Sequence, residues 1–293
     1  MSCMKSLTEH AMAKLNLTLD VGARRDDGYH DMRMVMQTVD LSDEVEITLT
    51  EGGEIRLRTN LRYLPSDGRN LAAKAARTFF DAAALPGAGA EIRLRKRIPV
   101  CAGLGGGSAD AAAVLRGLNT LTGAGFSPER LEEIGRALGS DVPFCVRGGT
   151  QLATGRGDEL SPLAAAPVMP AVICKPGFSV STPTLFQRID SRRSGMHPDT
   201  EGMLAAIGAG DARGVAQRVY NVFEDALPVH RLRTVQEIKR RLIDAGALGA
   251  AMTGTGSAVF GLFPDEETAK AAHASLSTAW RDCFLTAPAK EVL

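Results

Sequence analysis

Between Ile98 and Leu118 the chain reads IPVCAGLGGGSADAAAVLRGL, with glycine at 103 and at 105 to 107, serine at 108 and an alanine-rich stretch behind them. Backbone without Cβ atoms can turn several N–H groups toward one point and let an anion approach closely. A helix beginning near Ala109 adds its free N–H groups and the positive end of its dipole. The chemistry of the stretch is anion binding, with phosphate the fitting anion; a plain glycine-rich turn before a helix is the bland alternative. Two common phosphate loops fail on the residues. A Walker A loop needs lysine after its last glycine, and here Ser108, Ala109 and Asp110 follow Gly107. A dinucleotide-binding turn needs a third glycine where Ser108 stands and a buried parallel strand before it. EIRLRKRI instead alternates Ile92 and Leu94 with Arg93 and Arg95, like a half-exposed strand.

Three further stretches carry side chains that could do chemistry. Lys14 and Asn16 lie two residues apart on the polar side of an alternating run in which Leu15, Leu17, Leu19 and Val21 take the other side, a strand expected to bury one face. A turn, RRDDGYHD, follows; Tyr29 and His30 beside Gly28 could stack on and hydrogen-bond to a planar ligand, or simply pack. In GSDVPFCVRGG, Asp141 stands two residues before Pro143 and is either a helix N-cap, the default for such a position, or a placed catalytic carboxylate.

The elements that must hold these groups can be read coarsely. Met32 to Leu41 and Val45 to Thr50 read as separate strands, and Gly52–Gly53 as a hairpin into Ile55 and Leu57, making the first third a β-meander. Asn70 should cap a helix through Ala84, and Ser127–Pro128 should open another. In the second half, a strand from Val168 to Cys174, helices near 198–207, 211–220 and 231–245, and a strand–turn–strand with Gly254-Thr255-Gly256-Ser257 at its tip are expected. A helix over Glu266 to Ala274 and a strand near Leu285 should close the chain. Strands and helices mix without regular βα alternation, so the class is α+β, with domains over 1–160 and 161–293.

Composition limits the partners. The chain has 293 residues, 34 basic and 34 acidic, so no general polyanion such as nucleic acid is indicated. No run approaches the ~18 apolar residues of a membrane span, and residues 1–12 lack the apolar core of a signal peptide. Five scattered cysteines, Cys3, Cys101, Cys145, Cys174 and Cys283, without metal-like spacing, read as reduced thiols, and a cytoplasmic enzyme is expected.

Pro99 to Ser108 resembles the phosphate loop of the GHMP small-molecule kinases, Pro-x-x-x-Gly-Leu-Gly-x-x-Ser before a helix. AKLNLTLDVGARRDDGYHDMRMVMQTVDLSD, GSDVPF and MTGTGSAVFGLF resemble that family's other motifs in the same order along the whole chain. The likeness is to the branch that phosphorylates a cytidyl diphosphate ester of methylerythritol. Met12, Cys101–Ala102 and Ala109–Asp110 depart from it, standing where proline, glycines and Ser-Asn are usual. The resemblance implies an N-terminal domain like the second domain of ribosomal protein S5, a ferredoxin-like C-terminal domain, and a site in the cleft between them. It implies ATP as co-substrate with Mg²⁺, a small-molecule acceptor, neither nucleic acid nor membrane as partner, and a monomer or weak homodimer. By position, Asp141 would be the catalytic base and Lys14 its charged neighbour. Asn70, Leu71 and Lys96 would line the adenine pocket, while Pro99, Gly103, Leu104, Gly105, Gly106, Gly107 and Ser108 would hold the ATP phosphates. Asn16, Tyr29, His30, Thr182 and Phe186 would meet the acceptor, with His30 at the cytosine edge. No Mg²⁺ ligand is assigned.

Overall fold

The computed structural model describes residues 5–191 and 195–289; Cys3 lies outside them. Two antiparallel strands dominate its first half, β1 (Ser6–Arg24) and β2 (His30–Glu51). β2 is one continuous strand rather than the expected two, because Ser42 and Asp43, which look like a break in the sequence, are buried and stay in the ladder. β1 also departs from strict alternation. Its register slips between Met12 and Lys14, between Asn16 and Thr18, and between Val21 and Arg24. Each slip turns the strand, so Leu15 and Leu17 enter one core cluster while Leu19 and Val21 enter another. The polar side is not solvated either: Lys14, Asn16 and Thr18 are all buried.

The first sheet runs β3 (Ile55–Thr59), β4 (Ala88–Arg95), β2, β1, β8 (Tyr220–Asn221), with β5 (Thr150–Thr154) also on β2 and β6 (Glu159–Pro162) on β5. The hairpin expected at Gly52–Gly53 is absent. β3 pairs parallel with β4, not with β2, so the segment crosses to the far side of β4 and the meander reading fails. Helices cover one face. α1 (Leu71–Ala82) is capped by Asn70, whose Oδ1 accepts from the Ala72 N–H at 3.0 Å, and it turns Ala72, Ala76, Phe79 and Phe80 inward. α2 (Gly106–Thr122) starts three residues earlier than its alanines suggested, so Gly106 and Gly107 form its first turn. The buried alanines 109 and 111 to 113 let it lie close to β1 and α1. α3 (Pro128–Arg136) and the short α4 (Val142–Arg147) complete this layer.

The second half builds a four-stranded antiparallel sheet, β11-β7-β10-β9, from β7 (Ala171–Lys175), β9 (Gly249–Met252), β10 (Val259–Leu262) and β11 (Asp282–Thr286). With α5 (Thr182–Asp190), α6 (Thr200–Gly208), α7 (Ala212–Gln217) and α8 (Val229–Asp244) between β7 and β9, and α9 (Glu266–Leu276) before β11, this is the ferredoxin-like strand order. Tyr220 and Asn221 form β8, not the end of a helix, and pair parallel with Thr18 and Leu19 of β1. That pairing, with the Ala258 N–H donating to Ala102 O at 3.0 Å, seats the second half against the glycine loop. No helix among the described residues is long and apolar enough to cross a membrane.

Candidate active site

The glycine loop owes its shape to the hairpin it meets. Gly103 (φ +79°) and Gly105 (φ +70°) take left-handed backbone, and a Cβ on Gly103 would collide with Thr253 O at the β9–β10 turn. Gly107 differs. Its φ is ordinary and a Cβ there would meet nothing within 4 Å, so packing within the protein does not require glycine. Gly105 is the N-cap of α2 without any side-chain cap, which leaves the helix's first N–H groups facing a cavity of about 350 Å³. Asn70, Leu71, Lys96, Pro99, Gly103, Leu104, Gly105, Gly106, Gly107 and Ser108 all line that cavity, so the residues expected around ATP are brought together.

Lys96 has a task beyond lining. Its Nζ lies 2.5 Å from both Asp43 Oδ2 and Asp110 Oδ2 and 3.4 Å from Gly106 O, while Asp43 Oδ1 takes the Ile98 N–H at 2.8 Å. A buried ammonium between two carboxylates thus pins the loop entrance to the first turn of α2. Burial pushes the Asp110 carboxyl up to about 7, with Lys96 pulling it down and Asp43 pushing it further up. Burial depresses the Lys96 ammonium, but Asp110 and Asp43 more than offset this and its pKa is raised. The sequence marked Asp110 only as a departure from the family's loop and did not mark Asp43, because their pairing with Lys96 joins three separate elements.

Behind the loop stands Lys14. Its backbone N–H donates to Leu104 O at 3.0 Å, its Nζ donates to Asn16 Oδ1 at 2.6 Å, and it lies 3.6 Å from Asp141 Oδ2. The N-cap reading of Asp141 is overturned. The residue sits at that position of α4, but with helical backbone (φ −82°, ψ −12°) and no side-chain cap bond, because only an extended N-cap turns its side chain back onto the helix's N–H groups. Its carboxylate, a third exposed, faces Lys14 instead. Asn16 is fully buried: its Oδ1 also takes the Gly254 N–H at 3.0 Å, and its own N–H donates to Thr253 Oγ1 at 3.0 Å. It joins Lys14 to the hairpin tip and is not part of the cavity around Tyr29.

That second cavity, about 360 Å³, collects Tyr29, His30, Thr182 and Phe186, with Arg24, Arg156 and Asp190. The His30 ring stacks on Phe186 (centroids 5.0 Å, planes 22° apart), and its Nε2 lies 2.6 Å from Asp190 Oδ1. Tyr29 is exposed, and the Arg156 guanidinium sits 5.1 Å from its ring centroid. Thr182 Oγ1 lies 3.1 Å from Thr255 Oγ1 of the hairpin tip, so α5 reaches from the glycine tip to the imidazole. α5 itself was not anticipated; Thr182, Phe186 and Asp190 are spaced by four, a stripe that would have pointed to it.

Two glycine-bearing turns, a lysine–carboxylate pair packed against one of them, and two cavities, one lined by glycine backbone and one by aromatic rings, are the parts of a small-molecule phosphotransferase. Residues 70–149 match the GHMP kinases N terminal domain and residues 203–282 the GHMP kinases C terminal domain. The chain belongs to this kinase family. Within it, the chain is 45% identical over 276 residues, 94% of each chain, to the 4-diphosphocytidyl-2-C-methyl-D-erythritol kinase of Brevibacillus brevis. A crystal structure of 4-(cytidine 5'-diphospho)-2C-methyl-D-erythritol kinase superimposes with a TM-score of 0.81 at 36% identity, over 97% of this chain and 100% of that one. A homoserine kinase from Cytophaga hutchinsonii shares the fold, with a TM-score of 0.73 at 20% identity, over 99% of this chain and 97% of that one.

Proposed function

We propose that this protein transfers the γ-phosphoryl group of ATP to the tertiary 2-hydroxyl of 4-diphosphocytidyl-2-C-methyl-D-erythritol, a step of the non-mevalonate route to isoprenoid precursors. The observation that carries the reading is the Lys14–Asp141 pair packed against the glycine loop, whose N–H-rich backbone walls one cavity while aromatic rings line a second. Relatives similar over nearly the whole chain carry that enzyme's name.

Phosphoryl transfer asks little covalent chemistry of the protein; alignment and charge neutralisation carry it. The N–H groups at the start of α2 receive the ATP phosphates, and Asn70 and Leu71 at the start of α1 line the adenine end. Lys96 holds the loop in shape, since both its neighbours are carboxylates. Asp141 takes the acceptor's hydroxyl proton, and Lys14, fixed by Asn16, offers positive charge to the oxygens where charge gathers. Tyr29, His30, Thr182 and Phe186 bind the cytidyl end, and Arg24 and Arg156 supply cationic donors to a diphosphate.

No group of three or more His, Cys, Asp or Glu side chains among the described residues is arranged to hold a metal ion. Mg²⁺ fits as a cation carried by the nucleotide, which needs only one or two protein oxygens. Ser108, lining the phosphate cavity, offers one. When bound, Mg²⁺ neutralises the charge on the phosphate oxygens. A cytoplasmic location fits these substrates. Titrating the protein with a non-hydrolysable ATP analogue and with cytidine diphosphate tests the two-cavity assignment: each should bind in the other's presence, and mutual exclusion would sink it.

A further inference from the structure

His30 is the group placed to distinguish one base from another, yet an imidazole has no fixed hydrogen-bonding sense. In neutral imidazole one nitrogen donates and the other accepts, and the partner of one decides the role of the other. A carboxylate only accepts. Asp190 Oδ1, 2.6 Å from His30 Nε2, therefore holds the proton on Nε2 and leaves Nδ1 as the acceptor. Nδ1 has no hydrogen-bond partner among the described residues, and His30 lines the second cavity.

The ring cannot easily escape this arrangement. Phe186 stacks against it, and Phe186 is itself held edge-on by the buried Phe223 at 5.0 Å and 86°. Asp190 is delivered by the same helix, one turn beyond Phe186 and two beyond Thr182, so a single helical stripe sets the ring's plane and its proton. Tyr29 and Arg156, stacked on one another, also line the cavity.

We propose that Asp190 is a positioning residue that sets base specificity: by fixing the proton of His30 on Nε2 it makes Nδ1 an acceptor, matched to the exocyclic amino group of cytosine and mismatched to the corresponding carbonyl of uracil. The inference rests on the cytidyl reading of this cavity and adds to it the source of the discrimination. An acceptor facing a carbonyl leaves both oxygen and nitrogen lone pairs unpaired, and a buried mismatch of that kind is worth about tenfold or more in affinity. Without Asp190 the imidazole can carry its proton on either nitrogen, and the choice between bases is lost.

The test compares wild type, Asp190→Asn and Asp190→Leu in two measurements. The first is inhibition of turnover by cytidine diphosphate and by uridine diphosphate. Wild type should prefer the cytidine compound by about tenfold or more. In both variants the ratio should fall below about threefold, mainly through weaker cytidine binding, with the KM for ATP unchanged. The second is ¹⁵N NMR of histidine-labelled protein, in which His30 should report the Nε2–H form in wild type and lose it in the variants. An unchanged inhibition ratio, or equal weakening of both nucleotides, would overturn the proposal, as would an Nδ1–H form in wild type. A wild type that fails to prefer cytidine diphosphate would instead remove the cytidyl reading, and this inference with it. The NMR result separates the two failures.

Discussion

Lys14 on β1 and Asp141 at the head of α4 meet with Nζ and Oδ2 3.6 Å apart, the ammonium buried and the carboxylate a third exposed. A carboxylate that caps nothing and is open on one side is free to take a proton from a bound hydroxyl. Asp141→Asn should therefore fold and melt close to wild type, because no cap bond is lost, while kcat drops by about 10²- to 10⁴-fold. Steady-state kinetics beside a melting curve checks it; substantial turnover in the variant would remove the general-base role.

Gly107 tests the phosphate loop without disturbing it. Nothing in the protein occupies the space a Cβ would take, and alanine is a better helix former than glycine by about 1 kcal/mol. Gly107→Ala should be as stable as wild type or slightly more so, yet bind ATP at least about tenfold more weakly as the methyl group crowds the phosphates. Unchanged nucleotide affinity would mean that the phosphates lie elsewhere.

Asp110 gives a pH signature. Burial raises its carboxyl from the ordinary 3.8 to about 7, so the folded chain holds this proton more tightly than the unfolded chain does. The stability it contributes is complete below about pH 4 and drains away as pH rises toward 7. Asn at 110 does not titrate. The melting temperature of Asp110→Asn relative to wild type should accordingly rise across pH 4 to 7 and level off above. A pH-independent difference would contradict the buried, paired placement of this carboxyl.

Cys101 adopts φ +53°, a backbone region that costs an L-residue roughly 1–2 kcal/mol and glycine very little. Glycine also widens the unfolded ensemble, by about 0.4–1 kcal/mol. Cys101→Gly should thus melt at or slightly above wild type, whereas Cys101→Val, branched at Cβ, should melt lower. A clear loss of stability in the glycine variant would show that the thiol packs in a way its exposure does not suggest.

What the sequence made legible was local. The glycine loop, the Asn70 cap and the β9–β10 hairpin are each written in adjacent residues, and the structure has all three. Partners brought by pairing between distant segments were not legible. β3 leaves its glycine turn for a parallel place beside β4, because burial against α1 outweighs the turn's preference for a hairpin. The bulges that move Leu19 to a different core from Leu17 have no sequence mark. The resemblance to the GHMP kinases supplied what local patterns could not, pointing to Lys14 and Asp141 as one site. It did not supply Asp43, Asp110 or Asp190, each an acidic residue whose meaning appears only once the lysine or histidine beside it is known.

The acceptor decides which kinase this is. Purified protein with ATP and Mg²⁺ should phosphorylate 4-diphosphocytidyl-2-C-methyl-D-erythritol, with ³¹P and ¹³C NMR placing the new phosphate on the 2-hydroxyl, and should leave free methylerythritol, homoserine, mevalonate and galactose unchanged. Faster phosphorylation of homoserine or mevalonate than of the cytidyl ester would rule out the cytidyl ester as the acceptor while leaving the kinase fold intact.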